Sequence, residues 1–296
     1  QKNTNIPYAY DINIALSSDA GQTWGPPIVP HDDRSNRQHG FLTLLPTERD
    51  KMIAVWLDAR EYNSQSPGDS FRDAVQLRST TIGKDGTLGK DIPLDLRACS
   101  CCQTSAAITE DGTVLIAYRD RTAGEIRDIS IVRRHNGIWS GPVNVHADGW
   151  EISGCPVNGP AIDAQATDAV VAWFTGADNI ATIKVAFSED SGVTFGPAFK
   201  VDSGESVGRV GTLMLATGDA LISWVEWTSD GEVLMLCRAT KNDGCVARQT
   251  ITEHAASGSF NFPKLARSGD AIYLVWTQPI SSEAGFSTIR MVVMDL

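Results

Sequence analysis

The sequence predicts an all-β fold made of repeated four-stranded antiparallel units, and three observations carry this prediction. An apolar run that ends in an aromatic residue recurs around Trp56, Tyr118, Trp173, Trp224 and Trp276, at intervals of 62, 55, 51 and 52 residues. Each run is short, rich in β-branched residues and bounded by turn residues, as buried strands are. No stretch of the 296 residues has convincing helical periodicity. A repeat of about 50 residues that holds four strands is typical of a β-propeller blade.

The elements of each repeat follow one order. The first strand lies about ten residues before the aromatic run, the third strand follows the run, and a Gly-containing turn leads to a weaker fourth strand such as GPVNVH. Complete blades are predicted at 39–95, 104–147, 158–202 and 210–253, three strands at 262–296, and only the third and fourth strands of a first blade at 8–30. We therefore predict a single domain over residues 1–296. It is a six-bladed β-propeller whose incomplete first blade is completed by an upstream segment or another chain, since a closed ring removes open sheet edges.

One eight-residue phrase occurs twice, as SSDAGQTW at 17–24 and SEDSGVTF at 188–195, and both copies fit S-x-D-x-G-x-T-[WF]. Each copy falls at the predicted turn between a third and a fourth strand, and Asp-Gly or Asn-Gly pairs fall at the same turn of other blades. The Asp accepts hydrogen bonds from nearby amides, the Gly permits a positive φ, and Trp24 or Phe195 can pack between blades. We interpret these segments as structural turns.

The same phrase is the Asp-box, or BNR repeat, of the sialidase-like propellers, and the chain resembles that superfamily over essentially its whole length. Asp-boxes also occur in propellers that are not sialidases, so the resemblance implies the fold more strongly than the activity.

The composition narrows the classes of partner. The net charge of −11 argues against nucleic acid or an anionic membrane surface as a general partner. No segment approaches the ~18 apolar residues of a membrane helix, so no membrane span is expected. Six cysteines favour an oxidising compartment, and we expect a periplasmic or secreted protein.

Chemically versatile residues gather on one face of the predicted propeller. The loop that leads into strand one of a blade (the leading loop) and the loop that joins strands two and three (the joining loop) share that face. They carry most of the arginines, carboxylates and cysteines that stand outside strands, which predicts a functional mouth there.

The resemblance implies that this mouth binds or hydrolyses an anionic glycan of the sialic-acid type, as an exo-sialidase-type glycoside hydrolase without a cofactor. Arg209 resembles one of the carboxylate-binding arginines of the superfamily. Sialidases use a general acid and a Tyr nucleophile, for which Asp58 or Asp120 and Tyr62 are the candidates. The other candidate substrate-binding residues are Arg37, Arg60, Arg119, Arg127, Asn158 and Glu226.

Two departures from the superfamily pattern argue against catalysis. NIPYAY at 5–10 lacks the arginine of the first blade, and the joining loop of the last blade, TQPISSEAGFS, contains no Tyr. A non-catalytic interaction scaffold is therefore an alternative.

The cysteines support another alternative, a metal-binding or redox propeller. Cys99, Cys101, Cys102 and Cys155 stand in the leading loops of neighbouring blades, and His39 stands in the loop of the preceding blade. Thiolates and imidazole suit copper or zinc. The competing interpretation is a disulfide between Cys155 and one member of the CSCC run, which an oxidising compartment favours. A second, hairpin disulfide is predicted between Cys237 and Cys245.

Overall fold

The computed structural model describes residues 8–48, 50–62, 74–253, 260–279 and 286–295. These residues form five antiparallel sheets, each built from strands that are consecutive in the chain. The first sheet holds β1 (His39–Glu48), β2 (Lys51–Asp58), β3 (Val75–Gly83) and β4 (Ile92–Ala98). The second holds β5 (Ser105–Ile108), β6 (Val114–Arg119), β7 (Ile129–His135), β8 (Ile138–Trp139) and β9 (Val143–Asn144).

The other three sheets repeat this plan. The third holds β10 (Ala161–Gln165), β11 (Asp168–Thr175), β12 (Thr182–Ser188) and β13 (Phe199–Lys200). The fourth holds β14 (Ser206–Met214), β15 (Ala220–Thr228), β16 (Gly231–Thr240) and β17 (Gly244–Glu253). The fifth holds β18 (Lys264–Ser268), β19 (Ala271–Pro279) and β20 (Ser287–Asp295). The predicted all-β architecture of consecutive antiparallel sheets is confirmed.

The repeated aromatic residue occupies the second strand of every sheet, as its spacing predicts. Trp56, Trp173 and Trp224 are completely buried there, in β2, β11 and β15, and Tyr118 in β6 and Trp276 in β19 are nearly so. The aliphatic residues of these strands pack between adjacent sheets, so that β11 and β15 share one apolar cluster and β2 and β6 share another. Inter-blade burial of this kind accounts for the repeat in the sequence.

Buried aromatic residues with a polar atom need a hydrogen-bond partner, and here a carboxylate supplies it. Trp56 Nε1 donates to Asp58 at 2.9 Å, and Trp224 Nε1 donates to Glu226 at 2.7 Å. Trp173 Nε1 donates to Asp148 at 2.7 Å, and the hydroxyl of Tyr118 donates to Asp95 at 2.5 Å. Four carboxylates, those of Asp58, Asp95, Asp148 and Glu226, therefore have a structural partner.

The first strands of the sheets face one another around a shared channel. A cavity of about 210 Å³ is lined by residues of β5, β10, β14 and β18 and of the segments just before them. This order places successive blades side by side around an axis, which is the arrangement expected for a propeller.

The N-terminal segment contains less regular structure than the sequence predicts. Residues 8–30 were expected to form two strands, but their pairing is a single antiparallel bridge between Ile14 and Ile28, with hydrogen bonds of 2.9 and 2.7 Å. Ile12 and Ile14 pack on Trp56 and Ile82 of the following sheet. Burial against that sheet, rather than a continuous ladder, holds the segment in place.

The two S-x-D-x-G-x-T turns have the same hydrogen-bond network. Asp190 accepts from the amide of Thr194 at 2.9 Å, from the Thr194 hydroxyl at 2.7 Å and from the Ser188 hydroxyl at 2.8 Å. Asp19 makes the equivalent bonds to Thr23 and Ser17. These contacts satisfy the local backbone and leave both carboxylates engaged in turns, as predicted.

The aromatic residues that end the two turns differ. Phe195 packs into the apolar cluster between the second and third sheets. Trp24, which was also expected to pack between blades, is 65% exposed, so that prediction is wrong for the first copy.

Helical structure within the described residues is limited to one 3-10 turn at Ala177–Asn179. In the same part of the chain, no helix is long and apolar enough to cross a membrane.

Candidate functional site

A groove of about 770 Å³ opens beside the leading loops of the first and second sheets. We call it the aromatic groove. Its walls come from the N-terminal segment, the start of β1, the joining loops of the first two sheets and the leading loop that contains Cys155. The lining side chains used below are Tyr8, Tyr10, His39, Phe41, Tyr62, Cys101, Arg121, Arg127 and Cys155.

Aromatic rings dominate the exposed surface of the groove. Tyr8 is 69% exposed, and Tyr10, Phe41 and Tyr62 are exposed by 37 to 38%. Tyr8 and Phe41 both have a positive φ, near 62° and 54°, a conformation that is uncommon for residues other than Gly and Asn. Partly exposed rings on one groove are typical of ligand sites.

Two arginines meet one carboxylate at the edge of the groove. Arg121 Nη2 donates to Glu125 Oε1 at 2.5 Å, and Arg127 Nη2 donates to Glu125 Oε2 at 2.7 Å. Burial alone would raise the pKa of Glu125, but the two guanidinium groups outweigh burial and lower it. The three side chains therefore carry a net charge of +1, although the chain as a whole is strongly acidic.

The joining loop between β6 and β7 forms this cluster by folding tightly on itself. The amide of Glu125 donates to the carbonyl of Thr122, and Glu125 has a φ of 62°. The Ile126 backbone pairs with Glu151 of the next leading loop. These contacts turn the side chains at 121, 125 and 127 toward one another.

Four cysteines lie beside this arginine cluster. Cys101 and Cys155 form a disulfide that joins two leading loops, with their Cα atoms 6.1 Å apart. Cys99 and Cys102 are free and buried, and their sulfurs are 3.5 Å apart. The sulfur of Cys99 is also 3.7 Å from that of Cys101. The predicted disulfide between Cys155 and the CSCC run is thus present, and so is the predicted Cys237–Cys245 hairpin disulfide.

The two free thiols differ in their electrostatic environments. The hydrogen bond from Cys102 lowers the pKa of Cys99 to about 5, with further support from Arg127, whose Nη1 lies 3.4 Å from the sulfur. Burial raises the pKa of Cys102. The shared hydrogen bond and Arg127 thus make Cys99 the more acidic of the two thiols.

His39 contacts another histidine instead of the cysteines. Its ring stacks on His31 with the centroids 3.9 Å apart, Nε2 lies 2.9 Å from Asp33, and Nδ1 lies 3.1 Å from the Tyr10 carbonyl. His39 lines the same groove as Cys101 and Cys155, but the sulfurs that lie together are those of Cys99, Cys101 and Cys102. The expected approach of His39 to the thiol cluster is not seen.

Asp58 and Arg60 are held in a buried ion-pair network. Asp58 is fully buried and accepts from Trp56 and Arg60, while Arg60 also donates to Asp32 and Asp91. Burial alone would raise the pKa of Asp58, but the hydrogen bonds from Arg60 and Trp56 outweigh it and lower the pKa. A buried, ionised and fully paired carboxylate is unsuited to donate a proton to a substrate, and Arg60 is saturated by carboxylates.

Several other predicted substrate-binding residues link neighbouring blades. Arg119 is buried and donates to the backbone carbonyls of Asn158, Arg127 and Phe174 at 2.9, 2.6 and 2.7 Å. Its guanidinium carbon also lies 4.9 Å from the Trp150 ring. Asn158 Nδ2 donates to the carbonyls of Pro156 and Val207. These polar side chains satisfy loop backbone that is buried between blades.

Arg209 and Glu226 are likewise engaged by their own loops. Arg209 donates to Glu232 at 3.1 Å and to the carbonyl of Phe260, and its own amide donates to Asn158. Glu226 is buried and accepts from Trp224 and from the amide and hydroxyl of Ser203. Arg37 is exposed and lies in the loop that leads into β1. These residues stand apart from the lining of the aromatic groove.

Asp120 has the environment of a proton donor. Burial raises its pKa to about 6, and the neighbouring carboxyl of Asp95 adds to the effect. It accepts hydrogen bonds from the Arg121 amide at 2.6 Å and the Ser130 hydroxyl at 2.9 Å. A carboxyl that titrates near pH 6 is partly protonated at physiological pH, as general acids are.

The structure thus gathers Tyr62, Arg127, Cys101, Cys155 and His39 of the predicted site on one groove. Tyr8, Tyr10, Phe41, Arg121 and Glu125 also belong to this region and were not among the predicted site residues. The R-x-x-x-E-x-R spacing of the second joining loop is the sequence signal that identifies Arg121 and Glu125. Tyr10 is brought beside the start of β1 by its parallel bridge to Gln38 and by the hydrogen bond from the His39 amide to its carbonyl.

Comparisons with known proteins give the fold. The Hadza microbial sialidase is similar over 97% of this chain and 59% of its own length, at 14% identity and a TM-score of 0.54. An α-L-arabinofuranosidase from Fusarium graminearum, solved with an iminosugar inhibitor, is similar over 96% of this chain and 84% of its own, at 12% identity and a TM-score of 0.56. The fold is that of a β-propeller.

This propeller spans less than two thirds of the sialidase it resembles. A search of family models gives no match, and no curated protein matches either. At 12 to 14% identity the likeness extends to the architecture of the propeller and leaves its activity to be argued from its own residues.

Proposed function

We propose that this sialidase-like propeller is an exported carbohydrate-active protein that binds an anionic glycan in the aromatic groove. The observation that carries the proposal is that four exposed aromatic side chains line one concave surface together with the half-buried Arg121 and the buried Arg127. The two solved neighbours described above are named as a sialidase and an arabinofuranosidase, and both act on glycans.

Aromatic rings and arginines suit different parts of such a ligand. The faces of Tyr8, Tyr10, Phe41 and Tyr62 offer apolar area on which the C–H faces of a sugar ring can pack at little cost in side-chain entropy. Arg121 and Arg127 offer planar guanidinium groups that match the geometry of a carboxylate. Glu125 offsets one of the two positive charges and the Cys99 sulfur faces Arg127, so Arg121 is the arginine proposed to meet an anionic substituent such as the carboxylate of a sialic acid.

Hydrolysis is the second candidate, and the raised pKa of Asp120 favours it. In this scheme Asp120 is the general acid and Tyr62 is the nucleophile, as expected from the resemblance to sialidases. Asp120 is linked to the groove because its carboxylate accepts from the backbone of Arg121, whose side chain lines the groove.

Export is supported by the disulfides Cys101–Cys155 and Cys237–Cys245. Disulfides persist in the periplasm and outside the cell, where glycans are also abundant. Because the chain as a whole is strongly acidic, its overall field does not attract anions. Selectivity for an anionic glycan would therefore come from the local arginine pair.

The test is calorimetric titration with a sialylated oligosaccharide and with the same oligosaccharide after removal of its sialic acid. We expect the sialylated ligand to bind more tightly. Arg121→Gln should weaken its binding by roughly 10- to 100-fold, since a hydrogen bond to a charged group contributes about 1.5–3 kcal/mol. Tyr62→Ala should weaken both ligands together.

Arg238→Gln is the matched control, because Arg238 is a half-exposed arginine of β16 that pairs with Asp219, outside the lining of the groove. It should leave both affinities unchanged. Equal affinity of the two oligosaccharides for wild-type protein, or an effect of Arg238→Gln as large as that of Arg121→Gln, would refute the proposal.

A further inference from the structure

The sulfur atoms of two leading loops lie at the distances that a metal centre requires. Cys99, Cys101 and Cys102 place their sulfurs within 4.8 Å of one another, and Cys155 is bonded to Cys101. A tetrahedral ion with metal–sulfur bonds of about 2.3 Å holds its ligand sulfurs about 3.8 Å apart. The separations of Cys99 from Cys102 and from Cys101 are 3.5 and 3.7 Å. Three of the four sulfurs therefore already lie at the spacing of one ion, and the fourth, that of Cys155, is held beside them by its bond to Cys101.

The backbone that carries these sulfurs is anchored on both sides. The amide of Cys99 donates to the Arg119 carbonyl at 3.0 Å, directly after the end of β4. On the other loop, Asn158 donates to the carbonyl of Pro156, the residue after Cys155. The amide of Gly159 in turn donates to the side chain of Gln103, which follows Cys102. The two loops are therefore fixed relative to each other by more than the disulfide.

The cluster has a buried floor and an open side. Cys99 and Cys102 are buried, whereas Cys155 is exposed and lines the aromatic groove together with Cys101. An ion or a reductant can reach the exposed pair from the groove, while the two buried thiols exclude water from the far side.

Positive side chains offset the charge of a thiolate cluster. Four thiolates around a divalent ion carry a net charge of −2, which is costly to bury without compensation. Arg127 Nη1 lies 3.4 Å from the sulfur of Cys99, and the charge of the buried Arg119 acts on Cys102. Two arginines thus face the sulfurs, which is the outer shell that such a centre needs.

We propose that reduction of the Cys101–Cys155 disulfide converts these four cysteines into a tetrathiolate site for a thiophilic d10 ion, Zn(II) or Cu(I). A dithiol reductant transfers two electrons and two protons to the sulfur–sulfur bond, which breaks to give two thiols while the reductant becomes a disulfide. Binding of one ion then releases the protons of the coordinating thiols. The oxidised protein, with two thiols left, is the low-affinity state, and the reduced protein is the high-affinity state.

The cysteine site shares Arg127 and a wall of the aromatic groove with the proposed glycan site, so the test omits the glycan and measures the metal alone. Wild-type protein is reduced with a phosphine under anaerobic conditions, freed of reductant, and titrated with Co(II) as a spectroscopic probe, followed by Zn(II). We expect one Co(II) per chain with the thiolate-to-cobalt charge transfer and visible bands of a tetrahedral sulfur site, displaced by one equivalent of Zn(II). A parallel competition with a Cu(I) chelator covers the monovalent ion.

Single variants assign the ligands. Cys99→Ser, Cys102→Ser and Cys155→Ser should each lower the affinity of the reduced protein by at least roughly 10- to 100-fold, which is the size of effect seen even for outer-shell changes. The metal affinity of the oxidised wild-type protein should be lower than that of the reduced protein by at least the same factor. Circular dichroism reports whether each variant keeps the β-sheet signal, so that a loss of affinity is separated from a loss of folding.

The Cys237–Cys245 disulfide supplies the matched control, since it links a hairpin of the fourth sheet. The double variant Cys237→Ser, Cys245→Ser should bind Co(II) and Zn(II) as the wild type does. Reduced protein that shows no thiolate-to-cobalt charge transfer, or binding that follows Cys237 and Cys245 instead of the four leading-loop cysteines, would overturn the proposal. A cluster that only exchanges its disulfide partners gives the first of these results.

Discussion

The guanidinium of Arg60 holds the carboxylate of Asp58 by two hydrogen bonds, from Nε to Oδ1 at 2.9 Å and from Nη2 to Oδ2 at 2.8 Å. Asp58 is fully buried and also accepts from Trp56, so this pair closes the polar end of the second strand of its sheet. The relationship explains why a carboxylate that looks catalytic in the sequence is part of the scaffold.

Replacing Asp58 with Ala should therefore destabilise the protein strongly. The change removes two hydrogen bonds of Arg60, which keeps Asp91 as a buried partner, and it leaves the Trp56 indole without its acceptor. Breaking a buried ion pair from one side costs about 3–5 kcal/mol. Urea unfolding gives the measurement. Asp32→Ala is the matched control, because Asp32 pairs with the same Arg60 but its side chain is 69% exposed, and exposed pairs contribute about 0–1 kcal/mol. Unchanged stability of Asp58→Ala combined with lost glycan hydrolysis would instead make Asp58 a catalytic residue.

The Asp190 turn should contribute to stability without affecting the groove. Asp190→Ala removes three hydrogen bonds to Thr194 and Ser188 and should lower the free energy of unfolding by roughly 1 kcal/mol. Asp190→Asn should cost less, because the amide oxygen still accepts from one partner. Glycan affinity, measured by calorimetry, should be the same in both variants. A loss of affinity without a loss of stability would contradict a purely structural role.

The blade architecture was predictable because its signals are local and periodic. Trp56, Tyr118, Trp173, Trp224 and Trp276 sit on equivalent strands, since each is the end of a short β-rich run flanked by turns. The strand content of the N-terminal segment was overestimated. Alternating apolar residues, as in YDINIAL, also occur where a segment packs one face on a neighbouring sheet without a continuous ladder of hydrogen bonds.

The site was less predictable, because its geometry depends on contacts between distant segments. The sequence places Arg119, Arg209 and Asn158 on the mouth face but cannot tell a side chain that faces solvent from one that binds buried carbonyls of the next blade. The groove itself joins Tyr10 and Phe41 to Arg121 of the second joining loop, which lies 111 residues after Tyr10 and 80 residues after Phe41. The disulfide between Cys155 and the CSCC run could be predicted, because the leading loops of neighbouring blades lie side by side.

Gly192 lies in the turn at 188–195 and packs against the preceding blade, so its replacement should lower stability. It has a φ of 73°, and an added Cβ would lie 2.7 Å from Cδ2 of Leu115, a fully buried residue of the preceding sheet. Gly192→Ala should combine the cost of an unfavourable φ, about 1–2 kcal/mol, with about 1–3 kcal/mol for overpacking.

Gly112→Ala separates these two costs. Gly112 has a similar φ of 80°, but its added Cβ meets no atom within 4 Å. We expect its melting temperature to fall less than that of Gly192→Ala in differential scanning calorimetry. Equal losses of melting temperature in the two variants would mean that Leu115 moves aside. Backbone conformation alone would then explain why position 192 requires glycine.

Asp120 should make the stability of the protein depend on pH. Burial, together with the Asp95 carboxyl, raises its pKa to about 6 in the folded protein, whereas a carboxyl of this type in an unfolded chain titrates near 3.9. The folded state therefore binds more protons than the unfolded state between about pH 4 and pH 6. The stability associated with the protonated carboxyl is fully present below about pH 4 and is lost as the pH rises through 6.

Asn at position 120 stays neutral at every pH and can still accept from the Ser130 hydroxyl and the Arg121 amide. Asp120→Asn should consequently be more stable than the wild type at pH 8, by about 1–3 kcal/mol for a shift of this size, and the difference should vanish near pH 4. Urea unfolding at pH 4, 6 and 8 measures the trend, and Asp230→Asn, at an exposed turn, should show none of it. If Asp120→Asn is less stable than the wild type at pH 8, the carboxylate is ionised and stabilising in the fold, and its assignment as a proton donor to the glycan is wrong.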